Sequence, residues 1–431
     1  MVRTMRPGAQ NALLLVSATL LSVAVAECGL RLHDTGTLAR LYGEHSLRIS
    51  DPSRGWVLAP DGHAHQRNRD FAILVHTNSQ GLRDRPHDYA KPAGTFRIVV
   101  LGDSFMEAYQ VQLEESLPFR LQEILAPHEV EVINLGVGGY GTAQELLALR
   151  EEGLRYAPDL VVLAFFVGND ILDNSRPLQD LLLGEDDPRV YGRPYAMATD
   201  LASELGWIPP DIERARGLEE EKRRSRQGLR AIGNFLQPVM FGSALERAAG
   251  SLLARFEGRS LEDPNLGLGL PFLEEFSPEL GHSGLSATDY QKLWGEAWLV
   301  TRRLLLETRS LAAANAASLL VMVVPAFFQV EPRHFEAMAR ENPGLRIDAT
   351  RINRELERFC AAHAIEFFDP TDALAAAESR REGPFFYQIE DHHWNSAGHA
   401  LVAGALARHL EDRGLVPPPG RPGARASVAA E

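Results

Sequence analysis

Acyl transfer through a covalent intermediate needs a nucleophile, an imidazole, a carboxylate and hydrogen-bond donors, and four short segments of this chain supply them. The first is Gly102-Asp103-Ser104, directly after the apolar run Arg97–Leu101. The second is the glycine-rich Gly136-Val-Gly-Gly-Tyr-Gly141, and the third is Gly168-Asn169-Asp170. The fourth, Glu390-Asp391-His392-His393-Trp394-Asn395, lies close to the C-terminal end. A serine hydroxyl is a poor nucleophile until a neighbouring imidazole takes its proton, and His393 or His392 could do so. That imidazole needs a carboxylate to set its tautomer and stabilise its charged form, a role open to Asp391 or Glu390. The oxyanion that forms needs donors aimed at it. The backbone N–H groups of Ser104 and a glycine, with the Asn169 amide, are the candidates, and one such donor is worth about 2.7–4 kcal/mol of barrier.

Each segment also has a plainer reading. Gly-Asp-Ser is a common turn tripeptide, and a glycine run can simply let two backbones approach. Asn169-Asp170 can be a helix cap or an Asx-turn. His393 can merely precede a helix capped by Asn395 or Ser396. Order and placement favour the joint reading, because all four segments follow expected strands, and in open parallel sheets active sites form at the carboxyl ends of strands.

The expected elements are these. Arg97–Leu101 suits a buried strand. Leu117, Leu121, Ile124 and Leu125 recur at helical spacing, with Pro127 after the stop. Val130–Leu135 is a second strand, and Thr142-Ala-Gln-Glu145 reads as a capping box opening a helix. Asp159–Phe166 is a third strand, a long helix runs from Trp294 to about Ala313, and Ser318–Val324 is a fourth strand closed by Pro325. Ile352, Leu356, Phe359 and Cys360 mark another helix, Ile365–Phe368 a fifth strand, and the last helix begins near Ser396. Alternation of this kind means an α/β fold whose five strands form a parallel sheet with right-handed crossovers.

Around that pattern the chain divides further. Residues 33–95 form an N-terminal β-rich extension, with a strand at Phe71–Thr77 and a turn at Asn78–Gly81. Residues 96–171 and 291–414 are the two parts of the α/β domain. Between them, 172–290 is rich in Pro, Gly and charge and reads as a mainly helical insertion over the sheet, with an amphipathic piece at Ala244–Phe256 and no convincing strand. The charge run Glu219–Arg224 is a solvated helix face. Residues 415–431 have the composition of a disordered tail.

The first 32 residues are different in kind. Arg3 and Arg6 precede the charge-free run Ala12–Ala26, which suits a signal peptide cleaved after Ala24-Val25-Ala26. Extended to Leu32, the same run would serve as an uncleaved membrane anchor. Cys28 follows Glu27, the wrong residue for a lipobox. Each alternative places the rest of the chain outside the cytoplasm, membrane-attached if the segment is retained.

The 431 residues are 45% hydrophobic and 24% charged, ordinary for a globular protein, and the formal net charge of −14 argues against a nucleic-acid partner. With only Cys28 and Cys360, no structural disulfide is expected, and Cys360 is read as a small core residue. Glu390, Asp391, His392, His393 and His399 raise the question of a metal. Adjacent histidines in an extended segment point to opposite faces, so no metal is expected. The glycine turn is not the first strand–helix turn of its sheet, so no nucleotide cofactor is expected either.

At these residues the chain resembles the SGNH/GDSL hydrolase family, over about Phe96–Leu172 and Tyr290–Leu410. The resemblance implies a three-layer α/β/α fold. It implies Ser104 as nucleophile and first oxyanion donor, Gly139 of Asn134-Leu-Gly-Val-Gly-Gly139 as second donor, and the Asn169 side chain as third. In the last block the common D-x-x-H pattern would pair His393 with Glu390. The D-x-H-W/F-N variant, familiar among alginate O-acetyltransferase-like members, pairs it with Asp391 and fits Trp394-Asn395 better. The function implied is an extracytoplasmic serine acyl-ester hydrolase without cofactor, acting on an acyl ester or an O-acetylated carbohydrate. The alternatives are an O-acyltransferase that moves an acetyl group to a polysaccharide, and a non-catalytic envelope binding protein on the same fold.

Overall fold

The computed structural model describes residues 47–222, 224, 273–275, 287–331, 335–336, 340, 346–389 and 391–420. Ahead of the α/β region stand two antiparallel hairpins, β1 (Arg48–Asp51) with β2 (Gly55–Leu58), and β3 (His63–Arg67) with β4 (Ala72–His76). Then follow β5 (Phe96–Leu101), α1 (Ser104–Glu107), α2 (Leu117–Leu125), β6 (Val130–Asn134), α3 (Thr142–Glu151), β7 (Leu160–Phe166) and the short α4 (Asp170–Asp173). After the insertion come α5 (Ala287–Ala314), β11 (Ser318–Val324), α6 (Arg351–Ala362), β13 (Glu366–Phe368), α7 (Thr371–Ser379) and α8 (Ser396–Asp412). The intervening strands are β8 (Tyr195–Met197), β9 (Gly206–Ile208), β10 (Leu273–Glu275) and β12 (Arg346–Ile347).

Five strands pair in the order β13-β11-β7-β5-β6, all parallel. The three inner strands are near-continuous apolar runs because helices cover both faces of the sheet. In β7, Leu160 to Phe165 are buried, and in β11 all but Ser318 are. The edge strand β6 breaks the run with half-buried Glu131, which binds the buried Arg97 guanidinium at 2.6 Å. Helix α2 packs with α8, and α3 with α5. Cys360 is buried in α6.

The structure departs from expectation in three places. Thr142 does not cap α3: Gly141 occupies the cap position, and the Ala143 N–H is bound instead by the Asn174 side chain at 3.0 Å. Both Thr142 and Glu145 are buried, and among the described residues neither the Thr142 hydroxyl nor the Glu145 carboxylate has a hydrogen-bond partner, so no capping box forms. In α2 the buried stripe is Leu117, Leu121 and Leu125, whereas Ile124 is 42% exposed. The insertion, finally, holds strands where none is expected. After the short helices Arg176–Leu183 and Pro188–Tyr191, β8 and β9 form a hairpin in the register Ala196↔Trp207, and β10 pairs with β12. Three-residue strands are too short to show a period of two. Ala196 and Trp207 are held by packing near Leu146 and Leu304. Of the charge run, the described residues are helical, Glu219, Glu221, Lys222 and Arg224 are exposed, and Lys222 reaches Asp187 at 2.9 Å. The charge-free run Ala12–Ala26 and the piece Ala244–Phe256 lie outside the described residues.

The extension is packed onto the sheet domain. Leu47, Leu58, Ala64 and Val75 form a small core with Val137, Tyr140 and Ala148, so both hairpins bury apolar surface against the glycine turn and α3. Tyr140 donates its hydroxyl to Trp56 O at 2.5 Å.

Candidate active site

Strand β5 delivers Ser104 to the start of a single helical turn. Asp103 caps that turn, accepting from the Phe105 N–H at 2.9 Å. The turn ends at Ala108 in the left-handed region, φ 53°. There the buried Arg83 guanidinium donates to the carbonyls of Glu107, Ala108 and Val111 at 2.7, 2.6 and 2.5 Å. A residue of the extension thus fixes the far end of the helix that carries the serine. Burial lowers Arg83 to about 10, partly offset by Glu107, so it stays charged at neutral pH.

The imidazole arrives from the other end of the chain. Ser104 Oγ lies 2.6 Å from His393 Nε2, and His393 Nδ1 lies 2.8 Å from Asp391 Oδ1. Asp391 Oδ1 also accepts from the His393 N–H at 2.7 Å, so one carboxylate holds both the backbone and the ring of the same residue. Burial would raise Asp391, but the hydrogen bonds from His393 outweigh it and hold the carboxyl below its ordinary range. The loop is closed by Tyr387 N–H on His393 O at 3.0 Å and Asn395 N–H on Phe385 O at 3.0 Å. Asn395 then caps α8, accepting from Ala397 and Gly398. Trp394 is fully buried against Phe105, whose ring lies 4.6 Å from the imidazole. His392 stacks on Phe327 at 4.1 Å between ring centroids. Of the two acids weighed for His393, Asp391 is in contact, and Glu390 lies outside the described residues.

The glycine turn sits against the serine. A Cβ added at Gly138 would lie 3.6 Å from Ser104 Cβ and 2.8 Å from Glu107 Oε2. The Gly138 N–H is already committed to Glu107 at 2.5 Å, and the Gly138 carbonyl to Trp56 Nε1 at 3.2 Å. Gly139 adopts φ +78°, open to glycine at little cost. Among the described residues no acceptor is assigned to the N–H groups of Ser104 or Gly139, nor to the Asn169 side-chain amide. Asn169 follows β7, the neighbour of β5, and its Oδ1 is buried without a partner. These three donors are free for a ligand, whereas Gly138 is not.

Beneath the serine lies a feature that the sequence does not betray. Asp103, Glu145, Asp170 and Asp173 are all buried, and their charges act on one another. Burial and the neighbouring carboxylates push Glu145 and Asp170 well above the ordinary carboxylate range. Asp103 and Asp173 are raised to about 6, each chiefly by burial. Asp173 also has Gln179 at 2.8 Å and Arg193 at 3.3 Å. Glu145 reads in sequence as a capping residue, and only the tertiary fold puts it inside. Among the described residues, no group of three or more His, Cys, Asp or Glu is arranged to hold a metal ion.

In fold and in its motifs the chain resembles the SGNH/GDSL hydrolases. Residues 297–426, from within α5 through β11, β13 and α8, match the family described as SGNH hydrolase-like domain, acetyltransferase AlgX. Among solved structures the chain is similar to the lipase/acylhydrolase from Enterococcus faecalis, at 15% identity over 76% of this chain and 100% of that one, TM-score 0.36. It is also similar to the acetyl xylan esterase AlAXEase, at 13% identity over 73% and 100%, TM-score 0.35. No curated protein matches it.

Proposed function

We propose that this protein is a serine acyl-ester hydrolase acting through an acyl-enzyme, outside the cytoplasm, on O-acetyl esters of carbohydrates. The observation that carries the reading is the hydrogen-bond chain from Ser104 Oγ through His393 to Asp391. Ser104 Oγ attacks the ester carbonyl as its proton passes to His393 Nε2, and the ionised Asp391 stabilises the imidazolium. The oxyanion is received by the N–H groups of Ser104 and Gly139 and by the Asn169 amide. Collapse expels the alcohol, which takes the proton from His393. Water then repeats the sequence on the acyl-serine and releases the acid. Residues 96–171 and 291–414 would carry this chemistry, with 33–95 supporting it, 172–290 bordering the substrate and 1–32 directing export, cleaved or retained as an anchor.

A second reading keeps every step but the last and passes the acyl group to a sugar hydroxyl. The match of residues 297–426 to a family described by an acetyltransferase favours it. One experiment addresses both. The purified protein is incubated with a fluorophosphonate probe, then with p-nitrophenyl acetate with and without an oligosaccharide acceptor. Stoichiometric labelling, lost in Ser104→Ala and His393→Ala variants that remain folded, is the expected result. Acetate alone as product marks a hydrolase, and acetylated oligosaccharide a transferase. Absence of labelling in the unaltered protein would refute both readings in favour of a non-catalytic binding protein.

A further inference from the structure

The loop that carries the partner acid is held from outside its own part of the chain. Between α7 and α8, the bridge between Phe386 and Trp394 closes a loop in which the described residues 387–389 and 391–393 form no regular element, and Ile389 is 55% exposed. Among the described residues, three of its backbone N–H groups nevertheless converge on one carboxylate. Asp70 Oδ1 accepts from Gln388 N–H at 3.3 Å and Ile389 N–H at 3.0 Å, and Asp70 Oδ2 accepts from Asp391 N–H at 2.9 Å. Asp70 stands in the tight connection between β3 and β4, and that connection is itself preset. Asn68 Oδ1 accepts from the N–H groups of Asp70 and Phe71 at 2.8 and 3.0 Å, while Asn68 N–H donates to Phe71 O at 3.0 Å. Next to it the Phe71 ring packs on Tyr387 at 5.4 Å, and Tyr387 is the residue whose N–H holds His393 O.

We propose that Asp70 is a positioning residue for the catalytic apparatus. Its carboxylate gathers the N–H groups of Gln388, Ile389 and Asp391 and so sets the direction in which Asp391 presents its own carboxylate to His393. Successive N–H groups aimed at one point make an anion site, and here the protein supplies the anion from its own hairpin. Asp70 touches neither Ser104 nor His393, and its influence passes through Asp391. The inference rests on reading Asp391 as the acid of a Ser–His–Asp triad.

The test is a double-mutant cycle read as the rate constant of fluorophosphonate labelling per folded chain. Asp70→Ala should slow labelling by roughly 10- to 100-fold, the scale of losing charge-assisted hydrogen bonds, with labelling still reaching one probe per chain. Asp70→Asn, nearly isosteric and keeping one acceptor oxygen, should lose less and serves if the alanine variant does not fold. In an Asp391→Asn background the Asp70 substitutions should change the rate by no more than about twofold, since residues acting through one another are not additive. A residue that merely stabilised the fold would slow both backgrounds equally, or lower the labelled fraction and not the rate. Unchanged rates in the single variants, or losses that multiply in the double variant, overturn the assignment while leaving the serine chemistry intact. A parent protein that takes no label overturns both.

Discussion

Replacing Asp103 by asparagine changes one atom of a buried side chain and should make the protein more stable at pH 8 but not at pH 4. Burial, with some help from the Asp173 charge, lifts the Asp103 carboxyl from an ordinary 3.8 to about 6 against the opposing pull of the Phe105 N–H and His393. A carboxyl that binds its proton more tightly in the folded chain than in the unfolded one stabilises the fold fully below its unfolded value. That contribution is lost as pH rises through its folded value. The window is therefore pH 4 to 6. At about 1.4 kcal/mol per pH unit, the loss is about 3 kcal/mol once the pH exceeds 7. Asparagine has no such loss. Its oxygen can still accept from Phe105, and its amide nitrogen takes the place of Asp103 Oδ2, which is buried without a partner. Glu145 and Asp170, raised in part by the Asp103 charge, shift the balance in the same direction. Urea unfolding of both proteins at a series of pH values gives the difference directly. It should open by about 3 kcal/mol between pH 4 and pH 8. Parallel curves, offset by a constant amount, would refute the claim that the folded protein keeps this carboxyl against its charge.

Two further outcomes are expected. Asn169→Ala should lower kcat on p-nitrophenyl acetate by roughly 10²- to 10³-fold with little change in KM, as removal of one oxyanion donor does elsewhere. Arg83→Met should cost about 3 kcal/mol or more of unfolding free energy, because three buried carbonyls at the end of α1 lose the guanidinium that donates to them. Denaturation at neutral pH measures it.

How legible the protein is in its sequence depends on whether a feature is local. β5, β7 and β11 show as apolar runs because both faces of the sheet are covered, and the ends of β5 and β7 locate Gly102–Ser104 and Gly168–Asp170. Ser104, Asp391 and His393 are distinguished by residue type and motif order, and the structure brings those three into one hydrogen-bonded chain. What escapes is decided by distant partners. Thr142 and Glu145 have the spacing of a capping box, but α3 is buried on most of its circumference and Asn174 reaches in to serve its N-terminus. β8 and β9 are held by neighbours and carry no pattern of their own. Asp70 is readable as a turn residue beside Asn68. Nothing near it reveals that its carboxylate serves a loop more than 300 positions along the chain.

The hydrogen bond between Ser104 and His393 joins residues 289 positions apart. Contacts between residues so far apart are slow to form, because the entropy of closing the loop must be met first. As the chain emerges N-terminus first, β5 and α1 can present the serine hydroxyl while His393 and Asp391 are still unmade. The hydrogen-bond chain from Ser104 to Asp391 is therefore complete only when the loop before α8 has docked beside Phe105 and the β3–β4 hairpin. If Ser104 and His393 are the proposed nucleophile and base, reactivity is in this sense a report on the completeness of folding, and a chain stopped short of Asp391 carries the serine without either partner.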